Sequence, residues 1–234
     1  LTNIMTNNNI QISIITLTKN NCSNFLKTLK SLKSQNIKFN IEWLIIDGSE
    51  EQKLNKNKIY IDQNLKKKNK IFVKHINALK IKIEGIYPCM NYGKQKSRGK
   101  FIIFLNSGDT FFNKESLNIF FNNSLSIDSC KGIIFGQARI IANKKINWNF
   151  PSKRLKNIKL WLRFFEPNHQ SMLIASNLAK SFDFPLQYNI LADGYWKRKI
   201  LNNASNIYYI KSPLVNFFLD GVSASKPSKK LFKE

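Results

Sequence analysis

The sequence is poor in acidic residues and in long apolar runs. It has 14 Asp and Glu against 38 Lys and Arg, a formal net charge of +24 over 234 residues. Its longest apolar runs are about five residues, far short of the ~20 that cross a bilayer. The first ten residues are polar and Asn-rich, without the basic-then-apolar pattern of a secretory signal. We therefore expect a cytoplasmic protein.

Cysteine is also scarce. The three cysteines, Cys22, Cys89 and Cys130, are widely spaced and form no Cys-x-x-Cys pair. This number and spacing indicate neither a disulfide framework nor a zinc knuckle. We expect reduced thiols, mostly buried.

The excess of positive charge is typical of proteins that meet polyanions such as nucleic acid, anionic membrane or phosphorylated ligands. However, 33 of the 38 basic residues are Lys, and Asn and Ile are equally overused. Lys, Asn and Ile share A/T-rich codons, so base composition can explain much of the excess. Because no recognised nucleic-acid motif accompanies the charge, we expect no specific nucleic-acid partner.

The hydrophobic fraction of 43% predicts a folded globule. Residues 11–18 and 41–47 read as buried strands, because both are short, β-branched and nearly continuous in apolar character. Between them, apolar residues from Asn24 onward follow helical spacing. A strand, a helix and a second strand at this spacing predict a parallel βαβ unit.

The rest of the chain continues this pattern less regularly. Further strands are predicted at 71–76, 101–105, 132–141 (an exposed or edge strand) and 207–210. Helices are predicted at 87–98, 117–125, 177–182 and 193–201, with a short aromatic-rich helix or loop at 158–165 and a surface helix and loop within 53–70. The chain is long enough to bury a full core as one domain.

The segment 85–112 is the most informative part of the chain. Its strand stops abruptly on Asn106-Ser107-Gly108-Asp109. The strand at 41–47 also ends on a carboxylate, Asp47. Open α/β sheets bind ligands at the carboxyl ends of their strands, so we expect Asp47 and Asp109 to face one crevice. Either residue could instead be a turn former, since Asp is common in β-turns.

Six segments resemble, in order, the motifs of family 2 glycosyltransferases. They are residues 14–20, 44–49, 85–93, 104–109, 169–170 and 192–193. The resemblance implies the GT-A fold, an α/β single domain whose Rossmann-like, mixed but mainly parallel central sheet is flanked by helices. It places this domain at 1–222, with a nucleotide-donor half at 11–110 and an acceptor half at 111–222. Residues 223–234 would form a basic tail.

The resemblance also implies an activity. Enzymes of this family are inverting and take a sugar from a nucleotide-diphosphate donor. We expect a UDP-sugar donor and a hydroxyl acceptor on a glycan or lipid-linked saccharide. Family context implies surface polysaccharide or lipopolysaccharide biosynthesis, at the inner face of the cytoplasmic membrane.

The resemblance assigns donor binding to Thr16, Thr18, Asn20, Asp47, Ser49, Asn91, Arg98 and Asp109. The loop that ends at Asn20 would border the base. Asp47 would accept hydrogen bonds from ribose hydroxyls or from a base N–H. Asn91 would contact the donor sugar or ribose, and Arg98 would meet the diphosphate.

Asp109 is also the implied metal ligand. A Mg²⁺ or Mn²⁺ ion would bridge this carboxylate and the diphosphate oxygens, and would neutralise the leaving group. With only one carboxylate, the ion should bind weakly when no nucleotide is present.

Asp193 is the implied general base, because inversion needs a carboxylate that takes the proton of the attacking hydroxyl. The same Asp could simply complement a helix dipole, and both roles are compatible. His169 and Gln170 would line the acceptor side, with an approach to the phosphates as the alternative.

Two other functions stay open. The chain could be a catalytically degenerate basic α/β protein that binds nucleic acid, or a sugar-nucleotide hydrolase with the same donor and metal sites. Separately, the aromatic and basic segment 160–165 and the basic tail suit peripheral binding to anionic lipid. Core packing beneath a loop explains that segment equally well.

Overall fold

The computed structural model describes residues 9–66, 68–142, 146–152, 156–188 and 191–219. The basic tail expected at 223–234 and the first eight residues lie outside these ranges. All structural statements below concern the described residues.

Nine strands form one sheet. They are β1 (Ile12–Thr18), β2 (Ile41–Asp47), β3 (Ile71–Asn77), β4 (Phe101–Phe104), β5 (Thr110–Phe111), β6 (Gly132–Ala142), β7 (Ile146–Phe150), β8 (Met172–Ala175) and β9 (Asn206–Phe218). Their order across the sheet is β3-β2-β1-β4-β8-β6-β9-β5, and β7 pairs with β6.

Seven α-helices connect the strands. They are α1 (Cys22–Lys33), α2 (Glu51–Leu65), α3 (Ile86–Lys96), α4 (Ser116–Ser124), α5 (Ile158–Phe164), α6 (Ser176–Ser181) and α7 (Ala192–Asn203). A short 3₁₀-helix, His169–Ser171, precedes β8. This mixed α/β arrangement, with a mostly parallel sheet and flanking helices in one domain, confirms the predicted fold class.

The four strands β1 to β4 run parallel. Every residue of β2 and β4 is buried, as their continuous apolar character predicts for a sheet covered on both faces. Helix α3 packs closely on β1, because a Cβ at Gly93 would lie 2.7 Å from Ile15 Cγ2. These parallel strands bring their carboxyl ends to one edge of the sheet.

The second half of the sheet departs from the sequence prediction in one respect. β6 was expected to be an exposed or edge strand, but it lies inside the sheet, between β8 and β9. Its first seven residues are buried. It pairs antiparallel with β8 and parallel with β9, which also places β9 parallel to β4.

The last strand is longer than predicted. The sequence predicted only 207–210, and a proline such as Pro213 normally interrupts a central strand. In the structure the β6–β9 register shifts on both sides of Gln137, and Pro213 lies opposite that residue. The irregularity accommodates the proline, and β9 continues to Phe218.

All three cysteines are free, as expected, but only Cys89 is buried, while Cys22 is half-buried and Cys130 is exposed. The expectation of mostly buried thiols was therefore wrong. No helix within the described ranges is long and apolar enough to cross a membrane.

Candidate functional site

The turn after β4 places Asp109 at the carboxyl edge of the sheet. The Asp109 N–H donates to the Asn106 carbonyl across 3.0 Å, and Gly108 has a φ of +105°, a conformation that favours glycine. Helix α1 fixes this turn through Thr28. The Thr28 hydroxyl accepts from the Gly108 N–H at 2.9 Å and donates to the Asp109 carbonyl at 2.8 Å.

Asp109 is only 5% exposed. Its Oδ2 accepts from Gln170 Nε2 and its Oδ1 from the Phe218 N–H, both at 3.1 Å. Burial raises the pKa of Asp109 to about 7, although these two hydrogen bonds and the charge of Lys27 act in the opposite direction. At neutral pH this carboxyl group is therefore poised between its two protonation states.

The end of β9 covers Asp109. Besides the Phe218 N–H, Asn216 donates from Nδ2 to Thr110 Oγ1 at 3.0 Å, which holds β9 against β5. Lys27 Nζ lies 2.8 Å from the centroid of the Phe218 ring. No sequence pattern points to Phe218, whose contribution is a backbone N–H, or to Lys27, which resembles the other lysines of α1.

Asp193 lies in the first turn of α7, as predicted. Its Oδ2 is 3.2 Å from His169 Nδ1 and 3.4 Å from Lys197 Nζ, and its side chain is 27% exposed. Burial raises the pKa of Asp193, but the hydrogen bonds and charges of His169 and Lys197 outweigh it. The pKa therefore lies well below its ordinary value, and the group is ionised at any physiological pH.

Two consecutive residues connect the two carboxyl groups. His169 contacts Asp193, and Gln170, the next residue in the 3₁₀-helix, contacts Asp109. Asn168 fixes this turn, because its side-chain oxygen accepts from the Gln170 N–H at 3.1 Å. The sequence predicted that His169 and Gln170 line the acceptor side or approach the phosphates, and the structure places Gln170 against Asp109.

Asp47 lies at the same edge but is fully buried among protein groups. Its oxygens accept from the Ser49 N–H and from Asn57 Nδ2, each at 2.9 Å, and His75 Nε2 is also 2.9 Å away. Burial raises the pKa of Asp47, but hydrogen bonds from His75, Asn57 and Ser49 lower it by more. These contacts show Asp47 in the turn-forming role that the sequence left open.

The loops after β1 and β2 are joined to each other. The Asn20 N–H donates to Ser49 Oγ at 2.7 Å, and Asn20 Oδ1 accepts from the Glu50 N–H at 3.0 Å. Thr18 contacts Ser107 Oγ at 3.3 Å, which extends the link to the turn after β4. Thr16, by contrast, is buried beneath this edge, where it donates to the Leu105 carbonyl.

Asn91 is hydrogen-bonded to the backbone of a distant segment. Its amide donates to the Phe184 carbonyl at 3.0 Å and accepts from the Phe184 N–H at 2.9 Å. The nearby Lys94 is also internal and fully buried. Its ammonium contacts Ala179, Phe182 and Asp183, and burial lowers its pKa.

Arg98 does not reach the site. Its Nε donates to Glu42 at 2.7 Å, and Glu42 is the second residue of β2. Five residue-to-residue steps of extended strand, roughly 16 Å, separate Glu42 from Asp47 at the other end of β2. The expectation that Arg98 meets a diphosphate beside Asp109 is therefore corrected.

The residues around Asp109 fit a hard divalent cation. The described ranges hold no group of three or more His, Cys, Asp or Glu that could form a metal site by itself. However, Gln170 Oε1 and Asn106 Oδ1 are buried without a hydrogen-bond partner in the turns that hold Asp109. Carboxylate and amide oxygens are the donors that Mg²⁺ and Mn²⁺ prefer.

Comparisons with known proteins agree with this architecture. No family model matches the sequence, and no curated protein does. Solved structures do match, and they define the chain as having a glycosyltransferase fold of the GT-A type. They include S. aureus TarS in complex with UDP-GlcNAc, at 18% identity and a TM-score of 0.68, covering 94% of this chain and 62% of that one.

A second TarS structure, in complex with UDP, matches at 19% identity with a TM-score of 0.65, covering 89% of this chain and 60% of that one. This chain thus spans less than two thirds of the length of the TarS chains that it matches. At this level of identity the likeness establishes the fold.

Proposed function

We propose that this chain is an inverting glycosyltransferase of family 2. It would move a sugar from a UDP-sugar donor to a hydroxyl group of a glycan or of a lipid-linked saccharide. One observation carries the proposal: the adjacent residues His169 and Gln170 contact Asp193 and Asp109. One short turn thus contacts both a candidate base and a candidate donor-side carboxyl group. TarS, which has a similar fold, was crystallised in complex with UDP-GlcNAc.

On the donor side, Asp109, Gln170 and Asn106 would hold Mg²⁺ or Mn²⁺ through their oxygen atoms. When bound, such an ion neutralises the charge that develops on the leaving diphosphate. The joined loops that contain Thr18, Asn20 and Ser49 would border the base and ribose. Asp47 would position these loops through its hydrogen bond from the Ser49 N–H.

On the acceptor side, Asp193 would remove the proton of the attacking hydroxyl as its oxygen bonds to the anomeric carbon. The bond from that carbon to the diphosphate breaks on the opposite face, which inverts the configuration. Support comes from the contacts of Asp193 with His169 and Lys197, which keep the carboxylate ionised and oriented. Its partial exposure leaves room for an acceptor.

The same proposal includes a biosynthetic process and a cellular location for the enzyme. It would act in surface polysaccharide or lipopolysaccharide assembly, in the cytoplasm at the inner face of the membrane. The net charge of +24 is compatible with a peripheral position on an anionic leaflet.

A thermal-shift panel tests the donor. UDP, GDP, dTDP and CDP are each added with and without Mn²⁺, and the melting temperature is recorded. A ligand at 100 times its Kd adds about 2.7 kcal/mol of stability, which is readily seen. We expect a Mn²⁺-dependent shift with UDP, and no shift with any nucleotide would contradict the proposal.

Product analysis then separates transfer from hydrolysis. With UDP-GlcNAc and no acceptor, a hydrolase releases free sugar at its full rate. A transferase turns over at its full rate only when an acceptor hydroxyl is present.

The nucleic-acid alternative predicts tight, steeply salt-dependent binding of RNA or DNA and no response to sugar nucleotides.

A further inference from the structure

Helix α5 and the residue that follows it expose three large apolar side chains. Leu160, Phe164 and Phe165 are 50%, 70% and 51% exposed. Leu160 and Phe164 are four residues apart and so form one stripe along the helix. Lys159 and Arg163 have the same spacing and form a cationic stripe beside it. The core-packing alternative for these apolar residues is therefore not what the structure shows.

The cationic stripe borders a groove. This groove, of about 520 Å³, lies between α5, α7 and the start of β9. Three cations, three apolar side chains and one amide line it: Lys159, Arg163, Arg198, Leu162, Leu201, Ile207 and Asn202. A groove lined by both cations and apolar side chains suits a ligand that carries a phosphate on an apolar body.

Part of this charge is already neutralised. Arg198 donates to the Leu162 carbonyl at 2.6 Å and is paired with Glu166, so it holds α5 against α7. The ion pairs formed by the described residues do not include Lys159 or Arg163. These two cations are thus the pair that an anionic ligand would meet.

We propose that this face of α5 binds an anionic phospholipid surface. Leu160, Phe164 and Phe165 would enter the boundary between headgroups and acyl chains, while Lys159 and Arg163 bind a lipid phosphate at the mouth of the groove. Amphipathic helices bind membranes in this way, with apolar burial and electrostatic attraction acting together. The inference rests on exposure and charge alone and does not depend on chemistry at Asp193.

Vesicle co-sedimentation tests the proposal with the full chain. Phosphatidylcholine vesicles are compared with vesicles in which roughly one third of the lipid is phosphatidylglycerol, a fraction chosen to give a strongly anionic surface. Two double variants, Lys159→Gln with Arg163→Gln and Leu160→Ser with Phe164→Ser, remove one stripe each. The control, Lys58→Gln with Ile59→Ser, removes a cation and an exposed apolar residue from α2 instead, where Ile59 is 53% exposed.

We expect wild type and control to sediment with the anionic vesicles only. Because each cation near an anionic surface contributes about fivefold in affinity, loss of the cationic stripe should weaken binding by at least about tenfold. Loss of the apolar stripe should weaken it as well. Equal sedimentation with neutral vesicles, or equal loss in the control, would overturn the proposal.

Competition experiments identify the source of the phosphate, and a thermal-shift measurement shows whether each variant is folded. Inorganic phosphate at millimolar concentration should not displace the protein from anionic vesicles, and full displacement would favour a soluble anion over a lipid surface. RNA binding that is weakened by the cationic-stripe variant, without any vesicle preference, would likewise overturn it. The melting temperature of every variant without ligand reports folding. Its change on addition of UDP reports the donor proposal separately.

Discussion

His169 Nδ1 lies 3.2 Å from Asp193 Oδ2, and this contact is the main reason that the pKa of Asp193 is low despite burial. Replacement of the ring by the shorter amide of His169→Asn removes its charge and should raise the pKa of Asp193 toward its ordinary value. The acid limb of the pH–rate profile for transfer should then move to higher pH. The other histidine provides the control. His75 contacts Asp47 and not Asp193, so His75→Asn should leave the acid limb unchanged.

Asp193→Asn should lower transfer by about 10²–10⁴-fold, because a general base typically contributes that much to the rate. The UDP-dependent thermal shift should stay near that of wild type, since Asp193 contacts His169 and Lys197 and not the strand-end loops. Asp62→Asn, an exposed carboxylate on α2, is the matched control. Near-wild-type turnover in Asp193→Asn would show that the base lies elsewhere.

Asp109 should give stability an unusual pH dependence. Its pKa is about 7 in the folded chain against 3.8 as the ordinary value, so between these pH values the folded state holds a proton that the unfolded state has released. Stability from this group is therefore greatest below about pH 4, falls as the pH rises to about 7, and is level above that.

Denaturant unfolding of wild type and Asp109→Asn, in the presence of EDTA, measures this effect. The variant cannot titrate at this position, so the difference between the two free energies of unfolding should change by about 4 kcal/mol from pH 4 to pH 8. The change should disfavour wild type at the higher pH. A pH-independent difference would mean that this carboxyl group titrates normally.

Lys94→Met should destabilise the fold by about 3 kcal/mol, because it leaves the Ala179 and Phe182 carbonyls and the Asp183 carboxylate without their shared donor. The free energy of unfolding in urea measures this loss. Lys96→Ala, on the exposed face of the same helix, should cost less than about 1 kcal/mol. Similar losses in the two variants would contradict a structural role for the buried ammonium.

The parallel half of the fold was predictable because its strands can be recognised from their own residues. β1, β2 and β4 are short, apolar and followed by turn residues, and these features need no knowledge of partners. β8 was missed because four apolar residues between a 3₁₀-helix and α6 lack any period. The length of β9 was missed because only its partner β6, with an irregular register, accommodates Pro213.

In the candidate site, too, the positions that follow from local sequence were predictable and the contacts with distant segments were not. The strand-end positions of Asp47 and Asp109 and the helix-start position of Asp193 come from local pattern, and the structure places all three there. Which groups surround each carboxylate depends on distant segments. Gln170 beside Asp109 and Glu42 beside Arg98 are contacts across 61 and 56 residues, and nothing in the local sequence reports them.

The course of β9 has a consequence for how the site comes into being. The Phe218 N–H that completes the surroundings of Asp109 belongs to a residue made 109 positions later in synthesis. While the ribosome is still making α7, the first four parallel strands can already be present, yet Asp109 still lacks its cover. A nascent chain stopped before β9 would therefore display a sheet with an open edge and an uncovered Asp109, so the surroundings of this carboxyl group are completed only after β9 has been made.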